Sequence, residues 1–211
     1  MSLPARIADG VLEAGGRSLR LPPGHWVLTG RGEVETVGHA RGGDAWGQGV
    51  SAWATLVDHG RLRAIVWLSL PLQDFARVRA GAPGCAENDA AIERLNLSNQ
   101  LSKPECLAVY GERDLQSALA IRSPNTLKWL VRHHVADPGP LVRFVYKLRS
   151  DSSYGSFALL LPTGPFDSDD EARRWALGLR DSLRAFLEHR TSEARVPALP
   201  GETSSGSASA R

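Results

Sequence analysis

VSAWATLVDHGRLRAIVWLSLP, from Val50 to Pro71, consists of two apolar runs flanking Asp58-His59-Gly60-Arg61. A glycine in a two-residue connection supplies the positive φ that a primed turn needs, so the stretch is predicted to be a β-hairpin with His59 and Gly60 as its loop. On a regular register Val57 faces Leu62, Thr55 faces Ala64 and Trp53 faces Val66. Ala52, Ala54 and Leu56 then share the other face with Arg63, Ile65 and Trp67. Both faces are largely apolar, whereas a half-solvated hairpin alternates apolar with polar. The strands therefore belong at the centre of a sheet covered on both sides. Arg63, near the turn, can lay its stem on apolar surface and keep its head in water.

On the amino-terminal side, Gly38 to Gly49 is glycine-rich and reads as a loop into the hairpin. Before it, Ser18 to Leu21 is a short strand broken by Pro22-Pro23-Gly24. An extended run restarts at His25 with Trp26 as a core anchor. Residues 1–17 read as a loose segment or a short peripheral element.

On the carboxyl-terminal side, Leu72 to Ala80 fits a turn or two of helix, Gly81-Ala82-Pro83-Gly84 is a break, and Asn88 to Leu97 has helical spacing. Residues 72–105 thus form a long excursion before a buried strand at Cys106–Gly111. Ser123 with Pro124 starts a helix. Leu141 to Arg149 alternates strictly, with Val142, Phe144, Tyr146 and Leu148 on one side and Arg143, Val145, Lys147 and Arg149 on the other. Tyr154 to Leu161 returns as its hairpin partner. Ser168-Asp169-Asp170-Glu171 is a capping box with acids at the positive end of the helix dipole. It opens an amphipathic helix with Trp175, Leu179, Leu183 and Phe186 in one stripe. Residues 191–211, rich in serine, glycine and proline, read as a disordered tail behind a single domain at 18–190.

The chain has 211 residues, 42% of them hydrophobic, which suits one domain with a sizeable core. A net charge of +2 is too near balance to argue for nucleic acid or an anionic membrane. No apolar run approaches the roughly 20 residues of a membrane-spanning helix. The start lacks the basic and apolar regions of a secretory signal, although a mature protein behind a new initiator methionine would look the same.

Two cysteines, Cys85 and Cys106, leave two outcomes open. A bridge would close a loop of about 22 residues, stabilise by roughly 3 kcal/mol in the chain-entropy model, and imply a periplasmic or secreted protein. Two reduced thiols would imply a cytoplasmic one. Neither cysteine has a partner at zinc-ligand spacing.

Chemistry is sparsely signalled. Neither Gly49-Val50-Ser51-Ala52-Trp53 nor Gly155-Ser156-Phe157 forms the G-x-S-x-G elbow, the six histidines form no metal-binding spacing, and the acids at 167–171 are explained by helix capping. No catalytic residue, cofactor or metal site is predicted. Trp46, alone among glycines, is a candidate contact residue. Between Arg122 and Arg149 six basic residues face the single acid Asp137, a local balance of +5. A solvated face accounts for such charge; the functional reading is a surface for an anionic partner, formed by Arg132, His133, Arg143, Lys147 and Arg149. Nucleic acid is the poorer fit, because no nucleic-acid motif accompanies the charge.

The order of elements, with Leu19-Arg20-Leu21-Pro22-Pro23-Gly24-His25-Trp26 and Leu179-Arg180-Asp181-Ser182-Leu183-Arg184-Ala185-Phe186, resembles the Mog1/PsbP-like family. That resemblance implies an α+β fold, a mostly antiparallel sheet with helices packed on both faces (an α/β/α sandwich). For function it implies a non-catalytic module that assists a larger complex. The rival expectation is a small-molecule-binding or hydrolytic protein with a pocket between the Trp46 loop and residues 72–105.

Overall fold

The computed structural model describes residues 5–40, 43–72, 91–98, 105–149, 154–164, 166 and 168–200. In chain order the strands and helices are β1 (Arg6–Ala8), β2 (Val11–Ala14), β3 (Arg17–Arg20), β4 (Trp26–Ala40), β5 (Gly43–Asp58), β6 (Arg61–Pro71), β7 (Ala91–Ser98) and β8 (Glu105–Glu112). These are followed by α1 (Leu115–Leu119), α2 (Pro124–Arg132), β9 (Leu141–Arg149), β10 (Tyr154–Pro162), α3 (Asp169–Leu187) and β11 (Glu193–Arg195). They build two sheets, a seven-stranded one in the order β4-β5-β6-β10-β9-β8-β7 and a four-stranded one in the order β1-β2-β3-β11.

The hairpin predicted at 50–71 is present and interior, as β5 and β6. His59 at φ 48° and Gly60 at φ 74° supply the left-handed pair that a primed turn demands. Val57 pairs with Leu62 as expected, but the register then shifts: Leu56 meets Ala64, Thr55 meets Ile65 and Trp53 meets Trp67. The extra residue is Arg63, an exposed position that the pairing leaves unmatched. The bulge brings the two indoles onto one face, where they stack with centroids 5.8 Å apart.

The expected α/β/α sandwich is corrected. The protein is mainly β, with two sheets and three helices among the described residues, and the second sheet takes part of the place that a helical layer would hold. On one face of the large sheet α3 shares the core with the small sheet: Leu12, Leu19 and Leu21 pack in the same cluster as Leu179, Leu183 and Phe186. On the other, the cluster around Trp53, Ile65 and Leu160 receives only the five-residue α1 and the nine-residue α2.

Three local readings are corrected as well. The amino-terminal segment, expected to be loose or a short peripheral element, carries β1 and β2, whose glycines are turn residues: Gly10, Gly15 and Gly16 all have positive φ. The helical spacing at 88–97 gives way to β7, which pairs with β8 through two register shifts, so its alternation is broken in the sequence. In the glycine-rich stretch, residues 38–40 and 43–49 continue the β4–β5 ladder, with His39 opposite Asp44. The turn of helix expected at 72–80 lies, beyond Leu72, outside the described residues.

The serine- and proline-rich tail begins with order as well. β11 runs parallel to β3, Val196 and Leu199 are buried, and the Trp175 indole donates to the Ala198 carbonyl at 2.9 Å. Residues 201–211 lie outside the described residues.

The other helix signals hold at Ser168 and in part at Ser123. The Ser168 hydroxyl accepts from the Glu171 amide at 3.2 Å and opens α3. Pro124 opens α2, but the Ser123 hydroxyl makes no cap; it donates to the Thr126 hydroxyl at 2.7 Å. Trp26 is a buried anchor, its indole donating to the Pro22 carbonyl at 2.8 Å.

Candidate functional site

Strand alternation puts Arg143 and Lys147 on one face of β9, as the sequence predicts, but their surroundings differ. Arg143 is 8% exposed, and its guanidinium lies 4.2 Å over the Tyr110 ring and donates from Nε to Glu112 Oε1 at 2.7 Å. Arg122 reaches the same carboxylate oxygen at 3.3 Å. Burial is the main influence lowering the Arg143 pKa, opposed by the Glu112 hydrogen bond. Arg143 is therefore part of the interior, whereas Lys147 is exposed. Arg149 closes β9 opposite Tyr154, and its side chain lies outside the described residues.

Arg132 and His133 end α2. The His133 ring stacks on Trp129 at 4.2 Å and its Nδ1 donates to the Trp129 carbonyl at 2.9 Å, while Arg132 is exposed. No hydrogen bond or ion pair joins either of them to the β9 cations among the described residues. They sit instead by the central hairpin, because the Ala136 amide donates to the Gly60 carbonyl at 3.1 Å and Arg61 bridges Ala136.

At that end of the sheet Arg61, Lys128 and Arg132 are exposed and make no ion pair among the described residues. Of the acids nearby, Asp137 accepts from the Gly139 amide at 2.9 Å, and Asp58, paired across the turn with Arg61, lies 3.5 Å from the His59 ring. Val131 stands beside Arg132 with 69% of its surface in water.

Two polar clusters escaped the sequence reading. Beneath α3 the buried Glu105 carboxylate accepts from the Tyr146 hydroxyl at 2.8 Å, with Arg184 at 3.4 Å and Arg180 at 3.9 Å. Burial, then the Glu105 charge, pushes the Tyr146 pKa far up, so the phenol stays neutral. Between α2 and the sheet, the hydroxyls of Thr29 and Thr55 lie 2.9 Å apart and those of Thr29 and Thr126 3.2 Å apart, with Ser123 joining at Thr126. The available signal was positional: both clusters carry polar residues at positions whose strand neighbours are core residues. Each is internally satisfied and holds a helix to the sheet.

Trp46 stands opposite Val37 in the β4–β5 ladder rather than in a loop, and its side chain lies outside the described residues. Cys106 is buried at 3% exposure on β8, and no cysteine among the described residues is free. Cys85 lies outside the described residues, as do 73–90 and 99–104 of the excursion at 72–105 that was to line the alternative pocket. An open groove of about 690 Å³ lies elsewhere, on the four-stranded sheet between Ala8 and Arg195. No group of three metal-ligating side chains is found among the described residues, and no helix there is long and apolar enough to cross a membrane.

No family model, no curated protein and no solved structure matches the chain. The functional reading rests on the geometry alone.

Proposed function

We propose that the protein is a non-catalytic accessory module that docks an acidic polypeptide partner through the cationic end of its large sheet. The observation that carries this is the trio Arg61, Lys128 and Arg132, exposed and unpaired among the described residues where the β5–β6 turn is hydrogen-bonded to the segment after α2. Cations that already hold a carboxylate, as Arg143 and Arg122 hold Glu112, have little left to offer a partner; these three do. Val131 adds an apolar contact beside the charges, the mixture that protein interfaces use. Complementary charge mainly speeds encounter and weakens as salt shortens the screening length to about 8 Å near physiological ionic strength.

A second part of the proposal is that Cys106 pairs with Cys85 and that the protein is exported. The absence of a free cysteine among the described residues supports the pairing.

The test uses a polyglutamate peptide as the acidic probe, with binding followed by anisotropy at low salt and again near 0.15 M, the physiological reference. The wild type is expected to bind at low salt and to weaken at the higher concentration. The Arg61→Gln/Lys128→Gln/Arg132→Gln variant should lose binding about tenfold with its melting temperature unchanged. Equal binding by both proteins, or none by the wild type, rejects the docking surface.

A further inference from the structure

The four-stranded sheet buries one face and leaves the other open as the groove of about 690 Å³. Alternation sends Leu12, Ala14 and Leu19 into the core and Val11, Glu13, Ser18 and Arg20 to the open face. Register then writes two rows across the open face. In one, Arg20 of β3 lies between Val11 of β2 and Arg195 of β11; in the other, Ser18 lies between Glu13 and Glu193.

The rows differ in how they are satisfied. Glu13 is taken by Arg6, whose Nε donates to it at 2.5 Å. Arg20, Arg195 and Glu193 are exposed and make no ion pair among the described residues. Two guanidinium groups directly opposite on adjacent strands repel each other. An oxyanion bridging them would turn that repulsion into paired charge-assisted hydrogen bonds. A bare anion, however, meets Asp9, Glu13 and Glu193 in the same groove. A bare cation meets the arginines. The rows stand two residues apart along the strands, about 7 Å, so a molecule carrying both charges satisfies each row at once.

We infer that the open face of the four-stranded sheet binds a small zwitterion, its oxyanion held by Arg20 and Arg195 and its ammonium by Glu193, with the Ser18 hydroxyl between them. This site is separate from the cationic end of the large sheet and stands or falls independently of it.

Titration calorimetry on the full chain tests it with two zwitterions, phosphorylethanolamine and γ-aminobutyrate, which separate a phosphate from a carboxylate as the oxyanion. Inorganic phosphate, butyrate and ethanolamine serve as single-charge controls. Saturable binding of at least one zwitterion is expected, about tenfold tighter than its single-charge controls. The Arg20→Gln/Arg195→Gln variant should lose about tenfold or more, and Glu193→Gln should reduce the zwitterion's advantage over the plain anion. These side chains are exposed, so both variants are expected to melt with the wild type, and melting is measured alongside. A control that binds as tightly as its zwitterion, binding unchanged in the arginine variant, or no saturable binding of either zwitterion at millimolar concentration overturns the inference.

Discussion

The Tyr146 hydroxyl donates to Glu105 Oε1 across 2.8 Å, linking β9 to the first residue of β8 at a point where both side chains are buried. Arg180 and Arg184, one turn apart on α3, close over the same carboxylate. A buried carboxylate is tolerated only when its charge and lone pairs are met, and here the helix brings the charge while the neighbouring strand brings the hydrogen bond.

Tyr146→Phe removes that hydrogen bond and leaves the two arginines in place. A hydrogen bond to a charged group contributes roughly 1.5–3 kcal/mol, and the variant is expected to lose about that near neutral pH. The pKa of Tyr146 is raised in the folded protein, first by burial and then by the Glu105 charge. Its stabilising contribution is therefore complete below the unfolded phenol value of about 10 and falls as pH rises above it. Denaturant midpoints between pH 8 and 11 should fall more steeply for the wild type than for Tyr146→Phe. Parallel curves would mean that the phenol ionises as easily folded as unfolded.

Arg143 and Lys147 share one face of β9 but should respond oppositely to the same substitution. Arg143→Gln leaves the Glu112 carboxylate with Arg122 alone and removes the cation from the Tyr110 ring. Breaking a buried pair typically costs about 3–5 kcal/mol, and the remaining arginine favours the lower end. That corresponds to a melting temperature roughly 6–12 °C lower for a domain of this size. Lys147→Gln, at an exposed position, should stay within about 0.5 kcal/mol of wild type. Comparable losses in thermal unfolding for the two variants would contradict this division.

What the sequence disclosed follows the range of the signal. The Asp58–Arg61 turn, the strict alternation of 141–149 and the Ser168 capping box each depend on residues within a few positions of one another, and each element forms where it is read. The bulge at Arg63 leaves no local mark, so the Trp53–Trp67 pairing was missed by one residue. β1, β2 and β11 are three or four residues long, too short for periodicity, and exist because their neighbours in space pair with them. For the same reason charge density along 122–149 misjudged the surface: Glu112, which neutralises Arg122 and Arg143, lies outside that window.

The hydroxyl chain between α2 and the sheet offers a test of cooperativity. Thr126→Val keeps the volume and removes the hydroxyl that links Ser123 to Thr29. Ser123 is buried with Thr126, so its hydroxyl cannot turn to water, whereas Thr29 keeps its contact with Thr55. A cost of about 1–3 kcal/mol is expected, the range for leaving buried polar groups unmet. Because Ser123 and Thr126 share one bond, Ser123→Ala added to Thr126→Val should cost less than the sum of the two single changes. Additive urea midpoints across the four proteins would show that the hydroxyls act separately.

Cys106 sits on β8 between Asn96 of β7 and Lys147 of β9, buried and not free. If its partner is Cys85, the bridge fastens the stretch between β6 and β8 to a strand in the sheet. It also shortens the unfolded chain's freedom by a loop of about 22 residues, a contribution of roughly 3 kcal/mol in the entropy model. Thiol titration of the denatured, unreduced protein should then find no free sulfhydryl. Reduction of the wild type should lower its denaturation midpoint to that of Cys85→Ser/Cys106→Ser, since both remove the same constraint, and the reductant should leave the double variant unmoved. Two titratable thiols per chain in protein produced in an oxidising compartment would refute the pairing and remove the argument for export with it.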